Sequence, residues 1–220
     1  MRQRGVTGSF GAGGVTGTLV DMLEANLFRN IYDVQCFDLR AVESYRQDAR
    51  HLAMSASMYA NPHSRGPLVN QLDAMLLGAA EIDLDFNVNV TTGSGGVILG
   101  GSGGHADTAA GARLALVTTR LGSSVGPKVV DRVSCLTTPG ETIDAVVTEG
   151  GVAVNPRRGD LKDRLVAAGI DVTTIEALHA RACKAGTAAP AGAPSAERRI
   201  VAVVEYRDGS VIDVVREVAR

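Results

Sequence analysis

Two glycine clusters, separated by a short apolar run, lie near the middle of the chain in NVNVTTGSGGVILGGSGGHADTAAGA, residues 87–112. Glycine lets backbone N–H groups come close to a ligand and adopt positive φ angles. The second cluster runs through Gly103-Gly104-His105 into small helix-forming residues, so we expect a helix whose N-terminal N–H groups point towards the same place. Such donors would suit an anion, or a carbonyl oxygen that becomes negative during a reaction.

His105 and Asp107 add titratable side chains to this segment. One interpretation is that His105 contacts a bound acyl or phosphate oxygen while Asp107 fixes the loop. The other is that Asp107 simply caps the following helix. The histidines give little support to a helix-borne metal site, because no two of them are three or four residues apart. The others are His51, His63 and His179.

Arginines are candidate clamps for carboxylates, because the guanidinium group can bind a carboxylate through two parallel hydrogen bonds. Arg157 and Arg158 follow Asn155-Pro156, and Arg65 lies in a turn-rich segment. The alternative interpretation of each is a solvated turn.

The composition limits the class of protein. The chain has 220 residues and a net charge of −2, so a broad basic surface for nucleic acid or membrane is not expected. Cys36, Cys135 and Cys183 are far apart, which argues against a disulfide or zinc framework and predicts reduced thiols in the cytoplasm. No apolar run approaches the ~20 residues that cross a bilayer, and the first residues lack the apolar region of a signal peptide.

A further glycine-rich segment, Gly11 to Gly17, resembles a dinucleotide-binding loop only superficially. Its glycines do not have the GxGxxG spacing, and residues 6–9 before it make a poor strand. A nucleotide-binding oxidoreductase is therefore a minor alternative. The helical pattern that follows favours an ordered loop leading into a helix.

Apolar periodicity predicts strands that alternate with short helices, which is an α/β pattern. Helical spacing covers residues 18–28, and Asp38 is placed to cap a helix that runs to Gln47. Residues 72–82 are apolar enough for one buried strand.

The C-terminal residues predict a β-hairpin, because two β-rich runs flank Arg207-Asp208-Gly209. The hairpin should add edge strands to the main sheet or pair with another subunit. It follows an Ala/Pro-rich linker. The expected domains are residues 1–186, the linker 187–197 and the hairpin 198–220.

Several long segments resemble the C-terminal half of citrate lyase alpha subunits, in the CoA-transferase superfamily. Their order and length make the resemblance specific along nearly the whole chain. The segments are Gly8–Gly17, Ser55–Pro62, Gln71–Asp73, Asp83–Val90, Gly100–Ala112, Thr138–Asp144, Val147–Arg158 and Val203–Asp213.

The resemblance implies a CoA-transferase-like domain with a mostly parallel sheet flanked by helices. It implies a transferase reaction in which acetyl-thioester and citrate are converted to citryl-thioester and acetate. The thioester is carried by coenzyme A or by the phosphoribosyl-dephospho-CoA arm of an acyl carrier protein, and this subunit needs no metal. A citramalate-specific relative is an alternative.

Many superfamily members use a glutamate that forms a covalent thioester, and the matching segment here, Ser9 to Gly14, contains no glutamate. The resemblance therefore implies a ternary complex. The substrate carboxylate attacks the acetyl thioester to give a mixed anhydride, and the released thiolate then attacks the citryl carbonyl.

This chemistry assigns roles to residues already singled out. Preorganised donors for the oxyanion are expected at Gly101, Gly103, Gly104 and His105. Substrate contacts are expected from Asn61, Arg65, Asn87, Asn89, Asp107, Arg157 and Arg158. Contacts to the thioester arm are expected from Gly13, Gly14, Gly93, Ser94, Gly95 and Ser102.

The resemblance also implies partners. They are the citrate lyase beta subunit (citryl lyase), the gamma subunit (acyl carrier protein), further copies of the chain, and the homologous N-terminal domain of full-length members, in the same polypeptide or a separate chain. Because the superfamily's active site lies between the two domains, a non-catalytic half-subunit that binds the thioester arm or scaffolds the complex is the second hypothesis.

Overall fold

The computed structural model describes residues 1–185 and 197–218. The chain divides into two compact units, Met1–Leu72 and Asp73–Arg220. The predicted linker 187–197 lies outside the described residues apart from Glu197, and the predicted domain boundaries stay a prediction. In the part of the chain that the structure describes, no helix has the length and apolar character to cross a membrane.

The first unit is built on a three-stranded parallel sheet in the order β1-β2-β3. Its core is aliphatic, with Val15, Leu23 and Ile31 fully buried between the sheet and the first helix. Its elements are β1 (Gly8–Ala12), α1 (Gly17–Glu24), β2 (Phe28–Asp33), α2 (Leu39–Gln47), β3 (His51–Ala53) and α3 (Ala56–Ala60).

Asp38 caps α2, as its position in the sequence predicts. One carboxylate oxygen accepts a hydrogen bond from the backbone N–H of Ala41 at 2.8 Å, which satisfies a donor that the helix itself leaves unpaired. The other accepts from the N–H of Gly17 at 2.7 Å, the first residue of α1. One side chain therefore fixes the start of both helices.

The second unit contains a five-stranded sheet in the order β13-β12-β11-β7-β4 and a smaller sheet in the order β10-β5-β6. Most strand pairings among the described residues are parallel. The elements are β4 (Met75–Gly78), β5 (Glu81–Asp83), β6 (Val88–Asn89), α4 (His105–Gly111), β7 (Ala115–Thr118), β8 (Gly122–Ser123), β9 (Gly126–Pro127), β10 (Val129–Val130), β11 (Ala145–Thr148), β12 (Gly151–Val154), α5 (Gly159–Ala167), β13 (Val172–Thr173), α6 (Ile175–Ala185), β14 (Ile200–Glu205) and β15 (Val211–Arg216).

The apolar residues 72–82 form two strands, so the prediction of one strand is wrong. β4 pairs with β7 in the large sheet, whereas β5 pairs with β6 and β10 in the small one. The break falls after Gly78, which interrupts the apolar run and lets the chain change sheets. Apolar patterning alone did not distinguish these two short strands from a long one.

The helices pack on the sheets of the second unit, with α6 against β10 and α4 against β4 and β7. The parallel α/β architecture with flanking helices is therefore confirmed. The C-terminal hairpin is also confirmed, with β14 antiparallel to β15. It forms its own two-stranded sheet and adds no edge strand to the main sheet, and Val204 and Val215 pack against Cys135. The other alternative, pairing with another subunit, stays a prediction.

Candidate functional site

The first glycine cluster lies in a tight loop that follows β6. The loop closes through a bridge between Thr92 and Ile98, and the N–H of Gly93 donates to the carbonyl of Val97 at 2.9 Å. The predicted contacts Gly93, Ser94 and Gly95 all lie here. The Ser94 hydroxyl is buried and has no hydrogen-bond partner among the described residues.

The second glycine cluster leads directly into α4. Within the described residues, no acceptor pairs with the backbone N–H groups of residues 101–104. A Cβ atom at Gly101 or Gly103 would meet nothing within 4 Å, and Gly103 has a φ of 53°. α4 itself has only seven residues, so the unpaired donors of this segment are the loop amides and not those of a long helix.

His105, the first residue of α4, uses both ring nitrogens within the protein. Its Nε2 lies 2.9 Å from the carbonyl oxygen of Gly78, and its Nδ1 lies 2.7 Å from Oγ1 of Thr138. A carbonyl only accepts, so Nε2 carries the proton and the Thr138 hydroxyl donates to Nδ1. Desolvation by burial lowers the pKa of His105, which favours the neutral ring. The geometry makes His105 an anchor of the glycine loop.

Asp107 does not act as the helix cap that the sequence allowed. Its Oδ1 is buried and accepts no hydrogen bond from any described residue. Its closest charged partner is Nε of Arg207, at 3.7 Å, in the turn of the hairpin. Burial raises the pKa of the Asp107 carboxyl, while Arg207 opposes this rise. The contact joins the first turn of α4 to the hairpin.

Asn89 is fully buried beneath the first glycine loop. Its amide nitrogen donates to Glu81 at 3.0 Å, and its oxygen accepts from the N–H groups of Thr91 and Thr92, both at 3.0 Å. Glu81 in turn accepts from the backbone N–H of Ser134 at 2.9 Å. Both ends of the Asn89 amide are engaged, so this side chain positions the loop and is not free to bind a substrate.

Asn87 is similarly engaged. Its side-chain oxygen accepts from the N–H of Gly140 at 2.9 Å, and its amide nitrogen donates to Asp83 at 3.3 Å. Burial raises the pKa of the Asp83 carboxyl, although hydrogen bonds from Val133 and Asn87 oppose this. Asn87 therefore ties the turn after β5 to the segment that begins at Thr138.

The two adjacent arginines differ sharply in their surroundings. Arg158 is paired with both Asp144 and Asp160, and the hydrogen bonds that it donates to Asp160 and then to Asp144 raise the pKa of its guanidinium further. Arg157 is exposed and lies 3.6 Å from Glu141. The charge of Arg158 is thus already balanced, whereas Arg157 is the one of the pair accessible to an external carboxylate.

Four predicted contacts belong to the first unit. Arg65 is exposed. The Asn61 side chain donates to the hydroxyl of Ser57 at 3.2 Å and accepts from the N–H of His63 at 2.9 Å. Gly13 and Gly14 lie after β1, and a Cβ at Gly14 would meet the Phe37 ring at 2.1 Å. Because the Phe37 ring is largely exposed, it can move aside, and this approach does not by itself require a glycine at position 14.

A cleft of about 420 Å³ beside the first glycine loop was not predicted from the sequence. It is lined by Thr92 and Gly96 of that loop, and by Arg132 and Arg216 from distant parts of the chain. Asp213 also lines it and accepts from the N–H of Leu136 at 2.6 Å. Only the fold brings these two arginines together, because 84 residues of sequence separate them.

Residues 1–218 match the protein family described as citrate lyase, alpha subunit (CitF). The chain is 50% identical over 218 residues to the citrate lyase alpha chain of Klebsiella pneumoniae, covering 99% of this chain and 42% of that one. The chain therefore spans less than half the length of this curated relative.

Two of the solved structures that are similar to this one illustrate the range of the likeness. An alpha subunit of citrate lyase from Streptococcus mutans, in complex with citrate, superposes with a TM-score of 0.91 at 43% identity, over 100% of this chain and 43% of that one. The 4-hydroxybutyrate CoA-transferase of Porphyromonas gingivalis gives a TM-score of 0.51 at 13% identity, over 78% of this chain and 40% of that one. The second likeness shows the fold alone.

Proposed function

The chain belongs to the family of citrate lyase alpha subunits, and we propose that it holds the thioester during the citrate CoA-transferase reaction. The observation that supports this most directly is the row of amides at residues 101–104, for which the described part of the chain supplies no acceptor. Backbone donors that are already in place stabilise a developing oxyanion without reorganisation, and losing one such donor costs about 3 kcal/mol in other enzymes.

The proposed reaction needs two such oxyanions. A citrate carboxylate oxygen attacks the acetyl carbonyl carbon, and the C–S bond breaks. The thiolate departs, and the product that remains is an acetyl–citryl mixed anhydride. The thiolate then attacks the citryl carbonyl carbon, the C–O bond breaks, and acetate leaves. In this scheme the loop amides of Gly101, Gly103 and Gly104 stabilise both tetrahedral intermediates, and no enzyme carboxylate forms a covalent bond.

The remaining predicted contacts divide by their accessibility. Arg65 and Arg157 are exposed cations that can bind citrate carboxylates, whereas Arg158 acts by positioning its own loop through Asp144. The Ser94 hydroxyl and Ser102 lie in the glycine loops and would contact the thioester arm, together with Gly13, Gly14, Gly93 and Gly95. Asn87, Asn89 and His105 support those loops from within, and Asn61 is proposed as a substrate contact.

The acid and the partners are part of the proposal. Citrate is favoured because the Streptococcus mutans relative is in complex with citrate. The thioester carrier is coenzyme A or an acyl carrier protein, and the partners are the beta and gamma subunits and the N-terminal CoA-transferase domain found in longer relatives. No step of the proposed reaction requires a metal.

The test is an exchange assay with the full 220-residue chain. Acetyl-CoA or acetylated acyl carrier protein is mixed with citrate, with and without the N-terminal half of a full-length relative, and citryl-thioester is measured by mass spectrometry. Product that depends on this chain supports the proposal. A complete mixture with beta and gamma subunits that forms neither citryl-thioester nor its cleavage product oxaloacetate would favour the non-catalytic scaffold. Citramalate in place of citrate tests the other acid.

A further inference from the structure

A buried cluster of three chemically different ligand groups lies in the first unit, and the proposed transferase chemistry does not use it. One side-chain atom each of Asp33, Cys36 and His51 lies within 4.8 Å of the other two. Asp33 and His51 are both only 3% exposed, while Cys36 is half-buried. Among the described residues, no other set of three ligand side chains meets this distance criterion.

The parallel sheet brings these residues together. Asp33 is the last residue of β2 and His51 is the first of β3. His51 pairs in register with Ile31, two residues before Asp33, so the Asp33 and His51 side chains lie on the same face of the sheet. Cys36 is held beside them by a bridge between its backbone and Val15.

The outer hydrogen bonds orient the three groups. Nδ1 of His51 lies 3.0 Å from the Ser44 hydroxyl, which leaves Nε2 directed at the cluster. Oδ1 of Asp33 accepts from the N–H of Gln35 at 2.9 Å, which leaves Oδ2 for the cluster. Metal-binding histidines and carboxylates are oriented by partners of this kind in known sites.

One atom of the cluster has no partner. Nε2 of His51 is buried and makes no hydrogen bond within the described residues, although Oδ2 of Asp33 lies 3.4 Å away. The same Oδ2 lies 3.1 Å from the Cys36 sulfur. For bonds of 2.0–2.3 Å, tetrahedral zinc places its ligand atoms about 3.3–3.7 Å apart. The 3.4 Å separation fits this range, and the 3.1 Å separation is slightly shorter, so the Cys36 sulfur would move outward on binding.

We propose that Asp33, Cys36 and His51 form a binding site for a divalent transition metal of the zinc class, with a fourth position for water. Nitrogen, sulfur and carboxylate donors together suit zinc better than magnesium or calcium. The carboxylate and the thiolate balance the charge of a divalent ion, so burial does not leave a net charge in the protein interior. On binding, the metal–sulfur bond replaces the S–H bond and the proton passes to solvent.

A coordinating cation would deprotonate the Cys36 thiol that it binds. The site would tie the end of β2 to the start of β3. Metal that binds only the folded chain should accordingly raise the temperature of unfolding.

Cobalt(II) is the probe, because it replaces zinc and gives a thiolate-to-metal charge-transfer band in the near ultraviolet. The reduced 220-residue chain is titrated with cobalt(II). We expect one equivalent to produce the band, zinc to remove it by competition, and Cys36→Ser to abolish it. Circular dichroism of Cys36→Ser shows whether the variant is folded, and thermal unfolding of the unaltered chain with and without zinc is a second measurement.

The chain supplies its own control in Cys183, whose exposed sulfur lies 3.3 Å from Nε2 of His179. Cys183→Ser should keep the band, because that pair lacks the buried third ligand. A band that persists in Cys36→Ser, a band lost in Cys183→Ser, or no band and no thermal shift in the unaltered chain would each overturn the proposal. A negative result in the cobalt titration would not contradict the proposed transferase function, because no step of the transfer reaction uses Asp33, Cys36 or His51.

Discussion

The hydroxyl of Thr138 lies 2.7 Å from Nδ1 of His105, across 33 residues of sequence. Thr138 is fully buried. Its bond to His105 joins the start of α4 to the segment after β10. The substitution Thr138→Val keeps the shape and removes the donor. An unsatisfied buried acceptor costs about 1–3 kcal/mol, and we expect urea unfolding to show a loss of that size.

Thr118→Val is the matched control for this change. Thr118 is exposed, and its hydroxyl donates a hydrogen bond to the carbonyl oxygen of Leu77 at 3.3 Å. Water can replace such a bond, so we expect a change within about 0.5 kcal/mol. If both variants lose the same free energy of unfolding, the contact between Thr138 and His105 has no special importance for stability.

His105 should remain neutral at a pH where an ordinary histidine is charged. Burial lowers its pKa from the usual 6.5, so the unfolded chain binds a proton more readily than the folded one. The contribution of His105 to stability is therefore complete above pH 6.5 and falls as the pH drops towards the folded pKa. An NMR titration should show the His105 ring signals shifting only below this pH. A titration midpoint at or above 6.5 would contradict the assignment.

Gly103 should be necessary for transfer but not for the fold. Its φ is 53°, and nothing lies within 4 Å of the position of a Cβ. Valine at this angle costs about 1–2 kcal/mol, which the loop can relieve only by changing conformation and displacing its amides. We expect Gly103→Val to lose citryl-thioester formation in the assembled enzyme while the circular dichroism spectrum is retained.

Gly100→Ala tests whether this effect depends on backbone conformation. Gly100 also has open space at its Cβ position but no positive φ, so its substitution should leave most of the activity. If Gly103→Val stays active, the loop amides are not the oxyanion donors. If Gly100→Ala is equally inactive, added bulk rather than backbone angle is responsible.

Local signals in the sequence predicted much of the fold. Asp38 before an apolar helix pattern identified the start of α2, and Arg207-Asp208-Gly209 between two β-rich runs identified the hairpin. Both rest on interactions between residues close in sequence. The partner of the hairpin was not predictable in this way, because its packing on Cys135 depends on contacts about 70 residues apart.

The candidate site was predicted less completely, for a related reason. The glycine clusters were visible because glycine itself marks the backbone. Asn89 was predicted to contact the substrate. The sequence of a glycine-rich segment does not show whether its asparagine faces a substrate or, as here, a buried glutamate. Likewise, Cys36 and His51 meet only because β2 and β3 are neighbouring parallel strands.

Arg157 and Arg158 should separate substrate binding from stability. Arg158 pairs with Asp144 and Asp160, and Asp144 also accepts from the N–H of Ala115 at 2.8 Å. We expect Arg158→Ala to lower the free energy of unfolding by about 1–3 kcal/mol, because a partly buried Asp144 loses its cation. Arg157→Ala should change stability by less than about 0.5 kcal/mol and instead raise the KM for citrate.

Chemical unfolding and steady-state kinetics of the two variants decide between these roles. Lysine at position 157 keeps the charge without the bidentate geometry, so Arg157→Lys should fall between the wild type and Arg157→Ala. An unchanged KM in Arg157→Ala would remove this residue from the proposed citrate contacts.

Gly140 is required by packing rather than by chemistry. A Cβ at this position would lie 1.9 Å from the carbonyl oxygen of Asp85 and 2.8 Å from the backbone nitrogen of Asn87. Both neighbours are backbone atoms in the turn between β5 and β6, and Phe86 in that turn already has a φ of 64°. Gly140→Ala must therefore displace the turn, and overpacking of this kind costs about 1–3 kcal/mol.

Gly159→Ala provides the comparison, because Gly159 begins α5 and nothing lies within 4 Å of its Cβ position. Alanine in a helix is favoured over glycine by up to about 1 kcal/mol, so this variant should be as stable as the wild type or more so. Thermal unfolding followed by circular dichroism measures both. If Gly140→Ala unfolds at the wild-type temperature, the close approach of residues 85–87 to Gly140 is not a constraint on the folded state, and the bond from its N–H to Asn87 can move without loss.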